Sequence, residues 1–545
     1  MILDSKGSLV WTDTQFREPF NMDIQEYKGE PHLTFWAGNK VGGHGEGINY
    51  IVNSSYHIVK TVRAGKDLKA DLHEFNLLPS SNTALLDAYY TREVDLSGFK
   101  NGPEKGWIWE AAFQEVDIDT GEVLFDWRAS DHISLTKTYS ELDASHNTAS
   151  SANKAFDWFH INSVDKDDQG NYLVSSRHLH ALFCINGITG TIMWQLGGKD
   201  NMFKDLTDHS AYPGSTAAPP AITLQHHARW HNNYTSITVF NNGDNQNEAS
   251  TAMLFDIDTV ARTVHTRGVY TSPSKVFGLF EGSISILPSQ NILVGYGSAG
   301  QWSEFTLNGE PICDVRFTPF KNFNGGTAES YRVFKGNWVG RPRTNPAVII
   351  EADLLSHHKW LYVSWMGATE VRNWRIEAKT SHHGKGDEGV VTVVTVPRDG
   401  FETAIDLSSY SVRSKQETDL QASARWKRYT YWHPHQRREQ SVELFRAVAI
   451  DSNNTIIGTS AWVDAGGPLN IAESASTAAS AFVKSKLNER WVTITVGAVI
   501  IAIIGLLPCL WLLGVWLRKR DSLQHAPTVE YQPVPEREME TKIEH

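Results

Sequence analysis

A strand–turn–strand unit that recurs along this 545-residue chain constrains its fold more than any other feature. Four segments each place Asp, Asn, Thr or Gly between two alternating apolar runs, as β-hairpins require. They are residues 115–127, 182–194, 254–266 and 304–317. A second kind of hairpin alternates with the first and opens near Leu72, Phe159, Gln225 and Phe280. Units roughly 55 to 90 residues apart with two hairpins each predict the four-stranded blades of a β-propeller.

The composition agrees with an all-β fold. Nineteen Trp and 17 Tyr, with many short runs rich in Val and Ile, favour sheets over helices. The length indicates one large β domain, alone or with a small one. We expect the propeller in residues 1–375, and in residues 376–464 further strands that either close it or form a small β unit.

Charge and cysteine content exclude two classes of protein. The formal charge of −12, with no basic block, opposes contacts to phosphates, so we expect no nucleic-acid partner. Only three cysteines are present, and Cys509 lies in an apolar run. Cys184 and Cys313 can form at most one disulfide, which excludes a disulfide-based scaffold.

The C-terminal part predicts a membrane anchor. Residues 491–517 contain no charge and are long enough to cross a bilayer as one helix. The Ala/Ser-rich residues 465–490 predict a stalk, and residues 518–545 a disordered tail. Because Arg518, Lys519 and Arg520 follow the run, we expect a cytoplasmic C-terminus.

Three N-x-S/T sequons precede the apolar run and fit a glycosylated main domain outside the cytosol, extracellular or lumenal; they are at Asn53, Asn233 and Asn453. Moving such a domain across a membrane normally needs an apolar leader, and the opening residues 1–13 hold none. We therefore expect a leader upstream of the given N-terminus.

Equivalent positions of the second hairpin carry histidine. The opening residue is His73, His160 and His226 in the first three hairpins, and Glu281 in the fourth. Because the innermost strands of a propeller line one channel, these side chains are predicted to converge, joined by Arg177 from the strand paired with that of His160.

Three histidines and an arginine support two kinds of site. Three imidazoles could bind zinc, but the arginine would repel a dication. Arginine suits sulfate, phosphate or carboxylate, so we rank an anion above a metal and expect no cofactor.

Each of these residues also has a structural interpretation. Glu74 could hold His73, Trp158 could pack on His160, and Arg177 could pair with Asp157 or Glu281.

Two further histidines lie near the predicted site. His226 and His227 are adjacent, and neighbouring residues of a strand point to opposite faces, so only one of them looks into the channel. We choose His226 from its position in the repeat. His44, in "GGHGEG", is an additional candidate that the Gly-rich context places in a loop.

The motifs around these residues resemble the arylsulfotransferase family, in its fungal-type, membrane-anchored branch, over roughly residues 8–465. They are "DLHEF", "DWFHINSV" through "SSRH", "QHHAR" with "FNNG", and "YVSWMGATEVRNWRI". One departure stands out, since His227 occupies the place of an aspartate in the family's "QHDA".

The resemblance implies a six-bladed propeller that moves a sulfuryl group from an aryl sulfate to a phenol without a nucleotide. It implies that His226 becomes a sulfohistidine, and that His73, His160 and Arg177 hold the sulfate oxygens and assist the leaving phenol. No phosphate-binding G-x-x-x-x-G-K-[ST] loop occurs in the sequence, in agreement with a nucleotide-independent donor.

Two other functions remain open on the sequence. The first is a catalytically inactive cell-surface propeller that binds an anionic or aromatic ligand or a partner protein. The second is a metal-dependent hydrolase, which predicts a stoichiometric zinc ion.

Overall fold

A computed structural model describes residues 1–16, 18–142, 148–208, 222–317, 329–352, 358–380, 389–407 and 443–464. Within these ranges the protein is all-β, and its only helices are short 3₁₀ turns, at Ala129–Asp131, Leu135–Lys137, Ala152–Lys154 and Gly297–Ala299. The predicted stalk, membrane span and tail lie outside the described residues. No helix among the residues described has the length and apolar character needed to span a bilayer.

The N-terminal half contains sixteen strands among the described residues. They are β1 Ile2–Leu3, β2 Leu9–Trp11, β3 Phe20–Tyr27, β4 Glu30–Val41, β5 His44–Val52, β6 Ile58–Val62, β7 Ala70–Leu78, β8 Thr83–Val94, β9 Gly106–Asp117, β10 Val123–Arg128, β11 Phe156–Asp157, β12 Ile161–Lys166, β13 Tyr172–Ser176, β14 Ala181–Ile185, β15 Ile192–Gly197 and β16 Lys204–Asp205.

The C-terminal half contains another sixteen strands among the described residues. They are β17 His226–His231, β18 Ser236–Asn241, β19 Thr251–Asp258, β20 Thr263–Thr271, β21 Ser283–Ile286, β22 Ile292–Gly295, β23 Gln301–Phe305, β24 Pro311–Arg316, β25 Ala347–Ala352, β26 Lys359–Ser364, β27 Asn373–Thr380, β28 Gly389–Pro397, β29 Glu402–Asp406, β30 Glu443–Ile450, β31 Ile456–Thr459 and β32 Val463–Asp464.

Successive strands pair antiparallel in four-stranded units. The units are β3–β6, β7–β10, β12–β15, β17–β20 and β21–β24, and the first two are joined through a β5–β7 contact. The eight predicted hairpins are all confirmed, because each corresponds to one antiparallel pair within these units.

Short polar residues close the turns as the sequence predicts. In the β12–β13 turn the Asp167 carboxylate accepts the backbone N–H groups of Gln169 and Asn171 at 3.0 and 2.7 Å. Gly170 follows with φ of 87°, a left-handed conformation that glycine adopts at little cost. Asn186 has the same role in the β14–β15 turn, where its side-chain oxygen accepts the N–H groups of Ile188 and Thr189.

The first strands of neighbouring units touch one another. Strand β7 contacts β3 and β12, and β17 contacts β12 and β21. Apolar clusters fill the space between units: Phe113, Trp127 and Phe183 are buried between the second and third, and Leu173, Trp194 and Phe255 between the third and fourth. The packing therefore brings residues far apart in the chain, at the starts of β7, β12 and β17, into one region.

A buried ion network ties these first strands together. The fully buried Glu74 carboxylate in β7 accepts hydrogen bonds from Arg229 Nη2 at 2.8 Å and Arg332 Nη1 at 3.1 Å. It also accepts the backbone N–H of Val164 in β12. Arg332 donates further to the carbonyl of Asn162 at 2.7 Å. Burial would raise the pKa of Glu74, but the two guanidinium groups hold it below its usual value.

The C-terminal strands form two sheets with a shared apolar core. One sheet has the order β25-β26-β29, the other β28-β27-β30-β31 with β32 on β30. Leu361, Trp374 and Phe445 are buried between them. The predicted domain boundary at residue 375 falls inside β27. This part meets the N-terminus, since Gly367 N–H donates to the carbonyl of Val10 at 2.7 Å.

Cys184 and Cys313 do not form the single disulfide that the sequence allows. Both are free thiols, Cys184 buried in β14 and Cys313 half-buried in β24.

Candidate functional site

The structure brings the two histidines of the first two predicted hairpins into direct contact. His73 lies in β7, and His160 immediately precedes β12. Their Nε2 atoms are 3.2 Å apart, and their ring centroids 4.8 Å. Both side chains are buried, with 5 % and 9 % of their surface exposed. Since Tyr331 packs edge-on against His73, the pair sits in a largely closed, partly aromatic environment.

An aspartate holds the outer nitrogen of each ring, the fully buried Asp71 for His73 and the half-buried Asp157 for His160. His73 Nδ1 is 2.5 Å from Asp71 Oδ2, and His160 Nδ1 is 2.6 Å from Asp157 Oδ2. Burial would raise the pKa of both carboxyls, but the neighbouring histidines hold it below the usual value, well below for Asp157. Both aspartates are therefore ionised at neutral pH.

His226 is the first residue of β17, and its neighbours fix its tautomer. Its Nδ1 is 2.6 Å from Asn242 Oδ1. The amide of Asn242 is oriented, because Nδ2 donates to the carbonyls of Gly278 and Glu281 at 2.7 and 2.9 Å. The amide oxygen must accept, so Nδ1 of His226 carries the proton and Nε2 keeps its lone pair.

The surroundings of His226 keep its ring neutral. Burial, followed by the positive charge of Arg177, lowers its pKa well below the usual value, and His160 and His73 act in the same direction. An imidazole that is uncharged and bare at Nε2 is a nucleophile at neutral pH.

Arg177 follows β13 and is joined to the histidine cluster by backbone and side chain. Its backbone N–H donates to the carbonyl of His160 at 2.8 Å. Its Nη1 is 2.8 Å from His178 Nε2, and Nη2 is 3.5 Å from the carbonyl of Leu279. His178 Nδ1 in turn donates to the carbonyl of Asp157 at 2.8 Å. Burial lowers the pKa of His178 to about 4, so this ring accepts from the guanidinium as a neutral group.

His44 is part of this cluster, and its predicted loop position was wrong. It begins strand β5 and is 1 % exposed. Its ring stacks on Tyr89 with centroids 3.8 Å apart, and its Nε2 is 3.3 Å from Asp157 Oδ2. Burial lowers the pKa of His44, but Asp157 outweighs burial and raises it. The glycines that predict a loop instead allow close packing, since a Cβ at Gly45 would come within 2.5 Å of Trp36.

Two overlapping groups of side chains could also hold a metal ion. They are His44 with Asp157 and His160, and His44 with Asp71 and His73, each with ligand atoms within 4.8 Å of one another. Imidazole and carboxylate ligands suit zinc or another first-row transition metal.

His227 has different neighbours from His226. Its Nδ1 accepts the backbone N–H of Ile284 at 3.2 Å, and its ring packs edge-on against Phe334. It has φ of 56°, and the pairing of β17 with β18 is irregular between His226 and Arg229. The orienting partner of His226 is therefore Asn242 on the chain after β18, and not the side chain at 227.

The alternative structural partners suggested for the site histidines differ from those observed. Glu74 binds Arg229 and Arg332, and His73 binds Asp71. Trp158 is fully buried in the apolar cluster beside Phe159.

Sequence reasoning did not place four polar residues in the site, Asp71, Asp157, His178 and Asn242, and it considered Asp157 only as a partner of Arg177. The first three stand inside motifs singled out for a histidine or arginine, "DLHEF", "DWFH" and "SSRH", and the fourth stands in "FNNG". The signal that could have found the two aspartates is an Asp two or three residues before each histidine of the pair.

Fold and site together define an all-β protein in which the first strands of neighbouring four-stranded units meet at a cluster of histidines, carboxylates and an arginine. The chain belongs to the arylsulfotransferase (ASST) family, whose profile matches residues 23–318, more than half of its length. All four predicted site residues lie inside the matched range.

Other comparisons are distant. No curated protein sequence matches the chain. Among solved structures, it is similar to a protein of unknown function from Bacteroides caccae, with TM-score 0.28 and 12 % identity over 62 % of this chain and 84 % of that one. It is also similar to the Dos1 propeller, with TM-score 0.26 and 12 % identity over 67 % and 69 % of the two chains. At these TM-scores neither likeness bears on function.

Proposed function

We propose that the protein is an aryl sulfotransferase that moves a sulfuryl group from an aryl sulfate to a phenol through a sulfohistidine at His226. The observation that carries the proposal is the environment of His226: Nδ1–H donates to Asn242 Oδ1 at 2.6 Å, which leaves Nε2 bare, and burial together with Arg177 lowers the pKa of the ring well below its usual value. Membership of the arylsulfotransferase family supports the substrate class.

In the first half-reaction, Nε2 of His226 attacks sulfur. An N–S bond forms, the S–O bond to the donor breaks, and the phenolate leaves. Sulfuryl transfer resembles phosphoryl transfer in that catalysis depends on positioning and on stabilising charge at the oxygens in flight. Arg177, with His73 and His160, supplies donors for those oxygens. In the second half-reaction an acceptor phenol attacks sulfur and releases His226, which gives ping-pong kinetics.

The sulfated histidine is the species to detect. The purified full-length chain is mixed briefly with 4-nitrophenyl sulfate, digested and analysed by mass spectrometry. We expect a gain of one sulfuryl group on the peptide that contains His226. His226→Ala should abolish both this gain and the release of 4-nitrophenol.

His227→Gln is the matched control. It alters the adjacent buried histidine, whose contacts are to Ile284 and Phe334, so it should preserve sulfation. If the wild-type chain gains no sulfuryl group and releases no phenol at any pH from 6 to 9, the inactive ligand-binding protein is the better assignment.

We further propose that the four-stranded units belong to a six-bladed propeller and that residues 491–517 anchor it in a membrane, main domain outside the cytosol. The consecutive contacts of β3, β7, β12, β17 and β21 support the propeller, and the uncharged run supports the membrane anchor.

Glycosidase treatment of the natural protein tests on which side of the membrane the main domain lies. Unchanged mobility would contradict glycosylation at Asn53, Asn233 and Asn453.

A further inference from the structure

His44 is a buried side chain of the site that has no role in the proposed reaction. Its surface is 1 % exposed, and neither ring nitrogen makes a hydrogen bond to a residue that the structure describes. Asp157 Oδ2 lies 3.3 Å from Nε2, but the two atoms lack hydrogen-bond geometry. A buried polar group without partners costs free energy, so His44 indicates a ligand that binds at this point.

Asp157 and His160 surround Nε2 of His44 with two further ligand atoms. His160 Nδ1 is 2.6 Å from Asp157 Oδ2, and the three ligand atoms all lie within 4.8 Å of one another. The second oxygen, Asp157 Oδ1, makes no hydrogen bond within the described part of the chain. The carboxylate can therefore bind an ion through either oxygen.

The distances fit a tetrahedral metal ion. Bonds of about 2.0–2.1 Å to a tetrahedral zinc ion place the ligand atoms about 3.3 Å apart. The distance from His44 Nε2 to Asp157 Oδ2 has this value. The contact of Asp157 with His160 has the 2.6 Å length of a hydrogen bond and must lengthen by about 0.7 Å when an ion replaces its proton.

We propose that His44 Nε2, Asp157 and His160 Nδ1 bind one divalent transition-metal ion, for which zinc is the best match. Two imidazoles and one carboxylate form a ligand set that suits zinc, whereas calcium and magnesium prefer oxygen atoms alone. Three protein ligands leave the fourth position of a tetrahedral ion open to water or an anion. Binding of the ion does not depend on the proposed sulfuryl transfer.

A second layer of side chains supports His160 as a ligand. An imidazole that binds a metal through Nδ1 keeps its proton on Nε2, and histidine ligands usually donate that proton to a fixed acceptor. His160 Nε2 is 3.2 Å from His73 Nε2, and Asp71 holds His73 through Nδ1 at 2.5 Å. The contacts from the ion to Asp71 therefore fix the orientation of the His160 ring.

The charges of the site favour a dication. The carboxylates of Asp71 and Asp157 bring two negative charges to the histidine rings, and one divalent ion balances both. From the sequence alone, Arg177 is expected to repel such an ion, and the two aspartates offset that repulsion. The Arg177 guanidinium contacts His178 instead, to which Nη1 donates at 2.8 Å.

Cobalt binding tests the site in the absence of substrate. The purified full-length chain is stripped of metal with a chelator and titrated with Co²⁺, whose visible absorption reports tetrahedral coordination. We expect one Co²⁺ per chain, displaced by one Zn²⁺. His44→Gln removes a ligand and should weaken binding by at least about 100-fold, and Asp71→Asn, in the second layer, by about 10–100-fold. His227→Gln alters a buried histidine outside the ligand set and should bind as wild type does.

Urea titration checks that each variant is folded, and zinc X-ray absorption of the wild type supplies a measurement that needs no variant. We expect nitrogen and oxygen ligands at about 2.0–2.1 Å, with scattering from two imidazole rings. A wild-type chain that binds no tetrahedral ion, sulfur ligands around the zinc, or equal affinity in His44→Gln and wild type would overturn the proposal. Because no substrate is present, these results are independent of whether His226 is sulfated.

Discussion

Asn242 is predicted to control the reactivity of His226, and Asn242→Ala tests this directly. The buried amide makes three hydrogen bonds, to His226 Nδ1, Gly278 O and Glu281 O. Without it, the ring can place its proton on either nitrogen. In the proposed mechanism only the tautomer with a bare Nε2 attacks sulfur, so the rate of sulfation should fall with the population of that tautomer.

The size of the effect follows from the lost hydrogen bond. One such bond biases the tautomer equilibrium by about 0.5–1.5 kcal/mol. Since 1.4 kcal/mol corresponds to a factor of ten, the ratio of the two tautomers changes by about two- to tenfold. If the tautomers are otherwise equally stable, the population with a bare Nε2 falls to about half, so we expect sulfation to slow by up to about twofold. The two orphaned carbonyls should also lower the free energy of unfolding, by roughly 1–3 kcal/mol each where water does not replace the amide.

The assay is the single-turnover release of 4-nitrophenol at saturating donor, at a temperature where urea titration shows each variant folded. Asn241→Ala is the matched control. It removes the neighbouring amide, whose oxygen accepts the N–H of Thr223 at 2.7 Å, and should leave the sulfation rate unchanged. Equal rates in wild type and Asn242→Ala, or equal losses in both variants, would refute the tautomer argument.

Two further predictions concern stability. Glu74→Gln leaves the buried Arg332 and the half-buried Arg229 without their carboxylate and should lower the free energy of unfolding by about 3–5 kcal/mol in urea titration. Glu46→Gln, at the exposed pair with Lys69, should lower it by less than about 1 kcal/mol. Burial raises the pKa of Asp23 to about 7, so stability from this group is full below pH 4 and is lost as the pH rises to 7. This loss is at most about 4 kcal/mol, and Asp23→Asn should remove it; an unchanged pH profile of unfolding would contradict the assignment.

The strand pattern could be predicted because it depends on local features. Alternation of apolar residues and turn formers such as Asp167 and Gly170 determine a hairpin within about ten residues of chain. The repeat then places His73, His160 and His226 at matching positions without knowledge of tertiary contacts.

The residues that orient or surround the site histidines could not be predicted in the same way. Some have partners far away in the chain, and for others the neighbouring sequence indicates the wrong local structure. Asn242 is defined by its contacts with His226, Gly278 and Glu281, which depend on how two units pack. The glycines around His44 predict a turn, and only the Trp36 ring against Gly45 explains them as packing residues.

The Glu74 network also predicts when, during synthesis of the chain, the neighbouring site can form. Its carboxylate is made early in translation, and Arg332 emerges some 258 residues later. Until then the carboxylate has only part of its partners, and burying it is costly. Glu74 adjoins His73, so we expect the histidine cluster to reach its final arrangement only after the intervening strands and Arg332 have been synthesised. In a nascent chain arrested before residue 332, we expect His73 and His160 to lie apart and the proposed sulfation of His226 to be absent.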